Sequence, residues 1–144
     1  MTQDPFKDFL CFDLYSVNQT MSRVYAPHLK RLGLTYPQYI ALVSLWDRDG
    51  QTIGEVGRAL RLESNTLTPM FKRLEAAGLI ERRRDKKDER QVRLYLTQKG
   101  RALEADAADL PACIQEATGL DPTAIQDLRK KLSTLRIALD AALD

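Results

Sequence analysis

A chain of 144 residues with 44% hydrophobic and 29% charged residues suits one soluble globular domain with a real core. Two cysteines, Cys11 and Cys113, are too few for a disulfide scaffold, and the single histidine, His28, lies far from both in sequence, so no metal site or cofactor is expected. The N-terminus lacks the basic stretch and apolar core of a signal peptide, and no apolar run approaches the ~20 residues that span a bilayer. The expectation is therefore a cytoplasmic protein with reduced thiols at rest and no membrane partner.

Asp4-Pro5 reads as an N-cap followed by a first-turn proline, opening a long helix to about Leu32. Leu10, Leu14, Val17, Met21 and Val24 recur at alternating steps of four and three, a seam suited to another helix. His28 is expected to face solvent on this helix. Thr35-Tyr36-Pro37-Gln38 is a capping box with Leu34 and Tyr39 as a hydrophobic staple, and the helix it opens reaches about Asp47. Asp49-Gly50 is a turn, and Thr52-Ile53-Gly54-Glu55 is a second capping box that opens a short helix with Val56 and Leu60 inward.

Ser64 or Asn65 is expected to cap the next helix. Leu67, Met70, Phe71 and Leu74 form its inward face, leaving Asn65, Thr66, Thr68, Pro69, Lys72 and Arg73 outward. Pro69 is placed late in the first turn, where it removes at most one hydrogen bond. Gly78 stops the helix. Leu79 to Arg84 and Gln91 to Leu96 are strand-like, with Val92, Leu94 and Leu96 inward, and the segment from Asp85 to Arg90 makes the hairpin tip. Thr97 caps a helix expected to run through Leu103 and Leu110 toward Cys113, kinked at Pro111. Asp121-Pro122 starts the last helix, where Ile125, Leu128, Leu132, Leu135 and Leu139 repeat the four-three spacing.

Charge is concentrated in one region. From Lys72 to Arg101 there are 11 Lys/Arg against 5 Asp/Glu, whereas the rest of the chain carries 11 against 15. A single basic stripe on a nearly neutral chain is the electrostatic footprint of a localised nucleic-acid contact. Together with the helix and ribbon from Ser64 to Thr97, it predicts a mainly α protein with a small β-ribbon, a winged helix-turn-helix. Residues 34–97 would form the DNA-binding region of a single domain spanning 1–144. The seams in 1–33 and 98–144 would be covered by a second copy, giving a two-fold homodimer.

On double-stranded DNA, the N-terminal half of the recognition helix would meet base edges in the major groove. Asn65 suits adenine, Thr66 and Thr68 a thymine methyl or a hydrogen bond, Arg73 guanine or phosphate, and Lys72 phosphate, with Pro69 on the same face. Arg84, Lys86, Lys87 and Arg90 are the wing's contact candidates, Arg90 leading for the adjacent minor groove. Half-sites would lie ~34 Å apart in a pseudo-palindromic operator.

These motifs resemble the MarR family of bacterial transcription regulators. Asp88-Glu89-Arg90 matches that family's D-x-R wing signature, with Asp88 as the candidate ion-pair partner, and the helix order agrees over the whole chain. LCFDLYS (Leu10 to Ser16), GLTYPQY (Gly33 to Tyr39) and SNTLTPMFKRLE (Ser64 to Glu75) resemble more narrowly the organic-hydroperoxide-sensing, OhrR-type repressors. Asn65 departs from the glycine common there, and Asp13 from a small residue.

The resemblance implies a repressor, not an enzyme, with Cys11 as the peroxide-sensing thiol and organic hydroperoxide as inducer. It further implies that Tyr25 and Tyr36 hydrogen-bond the Cys11 thiolate. Lys7 would favour that thiolate and Asp8 and Asp13 oppose it, so the phenols would carry much of the effect. Cys113 lies where two-cysteine members keep a resolving thiol, so an intersubunit Cys11–Cys113 disulfide is the favoured outcome over capping by a small thiol. The competing readings are a MarR-type repressor switched by a small aromatic or phenolic ligand, and a thiol peroxidase, against which stands the lack of a supporting Arg/Thr motif.

Overall fold

The computed structural model describes residues 3–143; residues 1, 2 and 144, which the single-domain reading also takes in, lie outside the described residues. Among the described residues, seven helices and one ribbon follow in the order α1 (Leu10–Leu32), α2 (Tyr36–Asp47), α3 (Ile53–Leu60), α4 (Ser64–Ala76), β1 (Ile80–Arg84), β2 (Val92–Leu96), α5 (Gln98–Asp106), α6 (Leu110–Ala117) and α7 (Pro122–Ala142). The chain divides between Asp109 and Leu110 into two compact units.

In the first unit, α1 ends in a left-handed Gly33 whose N–H, with that of Leu34, takes up the last carbonyls, at Lys30 and Leu29. Both expected capping boxes are present: Thr35 with Gln38, and Thr52 with Glu55. Each fixes where its helix starts, and so fixes the loop between α2 and α3. The core is built from Leu42, Leu45, Val56, Phe71, Leu74, Ile80 and Leu94, all nearly or wholly inaccessible. All four inward positions expected on α4 are buried, as are Leu94 and Leu96 of β2; Val92 and Leu60 are half-buried.

The ribbon is antiparallel, with Ile80 opposite Leu96 and Arg84 opposite Val92. Its β2 side is hydrogen-bonded to the α2–α3 loop, Gly50 N–H to the Leu94 carbonyl and Leu94 N–H to the Gln51 carbonyl. Asp49 adds a carboxylate oxygen to Leu96 N–H. The wing's root therefore belongs to the same core as the helices. Gly100, at the start of α5, packs so tightly that a Cβ there would collide with the Leu79 carbonyl.

Several expectations are corrected. The first helix starts at Leu10, not at Asp4-Pro5: Asp4 accepts from Phe6 N–H in a local turn, and Phe6 doubles back to stack on Phe12 with centroids 4.3 Å apart. Residues six apart do not share a helical face, so that stacking requires a turn. Glu63, not Ser64 or Asn65, is the N-cap of α4, without a side-chain bond. Pro69 consequently sits in the second turn, and the Asn65 carbonyl lacks its helical donor. The helix expected from Thr97 to Cys113 is two helices, because Pro111 has no N–H to continue the ladder and is favoured near a helix start. His28 is half-buried, not solvent-facing.

In the second unit, α6 leads through a left-handed Gly119 to Asp121, whose carboxylate accepts from Ala124 N–H and caps α7, with Pro122 in its first turn.

Candidate nucleic-acid interface and thiol site

The turn between α3 and α4 is tight. Gly57 is buried where a Cβ would meet the Leu67 side chain, so the two helices cross closely, and Arg61 ends α3 in the left-handed conformation. With Leu67, Met70, Phe71 and Leu74 held inside, α4 turns Asn65, Thr66, Thr68, Pro69, Lys72 and Arg73 outward, and all six are exposed. One face thus carries an amide, two hydroxyls and two cations.

The wing extends from that helix with its charges organised by ion pairs. Arg93 meets Asp85 at 3.1 Å and donates to the Gly50 carbonyl. The Asp85 carboxyl is held below its ordinary range by the Lys87 backbone N–H, then by Arg93. Arg83 pairs with Glu81 at 2.6 Å and lies 4.7 Å over the Tyr95 ring. At the tip, Asp88 accepts from both the backbone N–H and the Nε of Arg90, at 3.1 Å each, which fixes the stem of a side chain that is still 91% exposed. Arg84 donates to the Glu89 carbonyl, while Lys86 and Lys87 are exposed. The stripe of positive charge is thus partly spent on the wing's own architecture. Arg84, Lys86, Lys87 and the guanidinium edge of Arg90 are among its exposed cations.

Sequence reasoning missed the residues that fasten the wing. Glu75 on α4 accepts from the backbone N–H and the Nε of Arg82, both at 3.1 Å, and Arg101 pairs with Asp49 at 2.6 Å. A carboxylate in the last turn of a helix, where the dipole disfavours it, was the signal available for Glu75.

The thiol elements lie on α1 and α2. Tyr25 and Tyr36 come together edge to face, with ring centroids 5.0 Å apart, and Tyr39, read from sequence only as a staple, joins them at 6.2 and 6.4 Å. Burial, then the neighbouring Tyr36 and Tyr39, raises the Tyr25 hydroxyl above the ordinary phenol value, so at neutral pH it is a proton donor. Cys11 stands exposed near the start of α1, among the exposed Phe9, Leu10 and Phe12. Since α1 is unbroken from Leu10 to Leu32, Cys11 is ~21 Å from Tyr25 along the helix. The two tyrosines are brought together, and Cys11 is held away from them within its own chain. Cys113, on α6, is half-buried and a free thiol. Among the described residues, no group of His, Cys, Asp and Glu is arranged to hold a metal ion, and no helix is long and apolar enough to cross a membrane.

A tightly crossed helix pair with a polar outward face, followed by a basic two-stranded wing, defines a winged-helix transcription regulator. Residues 23–106 match the family described as Transcriptional regulator SarA/Rot. The organic hydroperoxide resistance transcriptional regulator of Bacillus subtilis is 43% identical over 91% of this chain and 87% of its own length. Among solved structures, reduced AbfR bound to DNA superimposes with a TM-score of 0.81 at 34% identity, covering 94% of this chain and 92% of that one. AbfR in its disulfide form superimposes at 0.64 with 37% identity over 93% and 89% of the two chains. A mutant MarR from E. coli with operator DNA gives 0.81 at 25% identity over 92% and 99%. The chain belongs to the MarR family of winged-helix transcription regulators, in its OhrR-type branch.

Proposed function

We propose that this protein is a homodimeric, cytoplasmic repressor that holds a pseudo-palindromic operator when Cys11 is reduced and releases it when organic hydroperoxide oxidises that thiol. One observation carries the reading: an exposed Cys11 stands near the start of α1, while Tyr25, paired with Tyr36 of α2, lies ~21 Å further along the same unbroken helix. The sensor is complete only if the partner's tyrosines reach Cys11. The exposed apolar seams support such a partner, with Leu10, Leu14 and Val17 on α1 and Leu128, Leu132 and Leu139 on α7. Half-exposed leucines in register at helical spacing are stable in water when a second copy covers them.

The chemistry follows from the donor set. The Cys11 thiolate attacks the outer peroxide oxygen, the O–O bond breaks, and the alkoxide leaves as an alcohol after taking a proton. A neutral phenol beside the thiolate stabilises the anion by hydrogen bonding. The product is a sulfenic acid, which a Cys113 thiol converts to a disulfide with loss of water. On DNA, Asn65, Thr66, Thr68 and Arg73 read bases, Lys72, Lys86 and Lys87 meet phosphates, and Arg90 enters the minor groove. AbfR has been solved reduced on DNA and in a disulfide form, and by that likeness the redox state of a thiol would govern the DNA-bound state here.

The test uses a duplex that the reduced protein selects from a random-sequence pool. Cumene hydroperoxide should release the wild type and leave Cys11→Ser bound; release of both would overturn the role of Cys11. Non-reducing electrophoresis after the same treatment should show a covalent dimer, and its absence removes Cys113 from the scheme in favour of a small thiol.

A further inference from the structure

We propose that Glu75 is a positioning residue for DNA recognition, setting the direction in which the wing leaves the recognition helix; this rests on the DNA-binding reading above. The ribbon's hydrogen bonds show why its location matters. Thr97 N–H donates to the Leu79 carbonyl and Asp85 N–H to the Gln91 carbonyl. Hydrogen-bonded pairs therefore fall at 79/97, 81/95, 83/93 and 85/91, and Arg82 sits opposite Leu94 at a non-bonded rung. At such a rung both backbone N–H groups point away from the ribbon, one at each outer edge.

Both outward N–H groups of this rung are taken by the body of the first unit. Leu94 N–H goes to the Gln51 carbonyl in the α2–α3 loop at 2.8 Å, and Arg82 N–H goes to Glu75 Oε2 on α4 at 3.1 Å. Glu75 Oε1 also accepts from Arg82 Nε and pairs with its terminal nitrogen, each at 3.1 Å. One carboxylate thus gathers the backbone and the guanidinium fork of one residue, the geometry that only arginine provides. The Glu75 carboxyl is held below its ordinary range by Arg82, so it is charged at neutral pH. Beyond this rung Arg93 still donates to the Gly50 carbonyl at 2.8 Å, and the outer part of the wing is braced by its own ion pairs, Arg93–Asp85 and Arg90–Asp88.

The rung is therefore the root about which the wing would swing, and Glu75 is its link to the helix that carries Thr66, Thr68 and Lys72. A helix dipole disfavours a carboxylate in the last turn, so Glu75 occupies an unfavourable position that its bonds to Arg82 offset. Arg82 spends its charge on Glu75 and acts through the fold, not as a phosphate ligand.

The experiment is a double-mutant cycle on a duplex selected from a random-sequence pool by the wild-type protein. Glu75→Ala should weaken binding about tenfold, the size expected for losing a charge-assisted hydrogen bond that orders a binding element. In a Lys86→Ala, Lys87→Ala, Arg90→Ala background, where the wing no longer grips DNA, Glu75→Ala should cost nothing further. Glu75→Gln, which keeps an acceptor for Arg82 N–H, should recover part of the loss and serves if the alanine variant does not fold. Equal losses in both backgrounds, or no loss in either, would overturn the inference. A pool from which the wild type selects no duplex would sink the DNA-binding reading itself and this inference with it.

Discussion

The winged-helix half of this protein and its long helices α1 and α7 use similar apolar residues in opposite ways. Between Leu34 and Leu96 lies an enclosed core: Leu42, Leu45, Phe71, Leu74 and Leu94 have essentially no exposed surface, and the wing's root is hydrogen-bonded on both edges. On α1 and α7 the leucines and valines keep the same regular spacing but stand about half exposed, Val17 at 60% and Leu139 at 56%. Regular apolar spacing is therefore not the property that separates a buried face from an exposed one. What separates them is whether the same chain supplies the opposing surface. A reader must be rigid to keep its side chains in register with base edges. On the proposed function, the exposed seams are where a second copy would join, and Cys11 stands beside one of them.

The sharpest way to break that division of labour is at Cys11. Cys11→Ser should abolish release of DNA by cumene hydroperoxide while leaving affinity for the selected duplex within a factor of about two, because the thiol stands on α1, not on α4 or the wing. Loss of affinity without oxidant would show that the two halves are not separable.

Next in size are substitutions in the two kinds of apolar surface. Phe71→Ala should lower stability by about 3–5 kcal/mol in thermal or denaturant melts, the cost of a cavity in a packed core. Gly100→Ala should be similarly harmful, because the atom it would strike is the Leu79 carbonyl, which cannot rotate aside. Leu132→Glu, by contrast, should leave the folded monomer's spectrum intact and shift sedimentation from dimer to monomer. A dimer that survives it would mean α7 is not in the interface.

Smaller effects sharpen the picture of the wing. Arg90→Ala should weaken duplex binding by about 1–3 kcal/mol and reduce the salt slope by about 1, as expected for one lost cation on DNA. An unchanged slope would show that Arg90 serves Asp88 alone. The mildest test is acid. Arg82 lowers the folded-state value of the Glu75 carboxyl, so its contribution to stability is present above the ordinary carboxylate range and is lost as pH falls through that lowered value. Melts of wild type and Glu75→Gln should therefore differ near neutral pH and converge in acid; a constant difference would show that the link does not depend on charge.

Much of the reader was legible because its signals are local. Thr35 with Gln38 and Thr52 with Glu55 specify helix starts within four residues, and the i, i+3, i+4, i+7 run on α4 specifies its buried face. The failures occurred where a local preference met a longer-range contact. Asp4-Pro5 has the residues of a helix start, but Phe6 stacking on Phe12 turns the chain instead. Pro111 read as a kink and is the second residue of a new helix. Ser64 is a good cap by type, yet Glu63 holds the capping position, set by the turn that buries Gly57 against Leu67.

The sequence by itself determined the helix order as far as the wing, the basic wing itself, the outward polar face of α4 and the family, because each is written in spacing, caps or short motifs. Only the tertiary structure decided which charges are already committed and which groups meet. Arg82 and Arg93 look in sequence like any other bases of the wing, and become structural only when Glu75 and Asp85 are brought to them. Tyr25 and Tyr36 are eleven residues apart with a helix end between them, and they pair because Gly33 reverses the chain. The unbroken helix that carries Tyr25 is also what keeps Cys11 from reaching it. Spacing along a chain specifies elements; which of their side chains touch depends on how those elements pack.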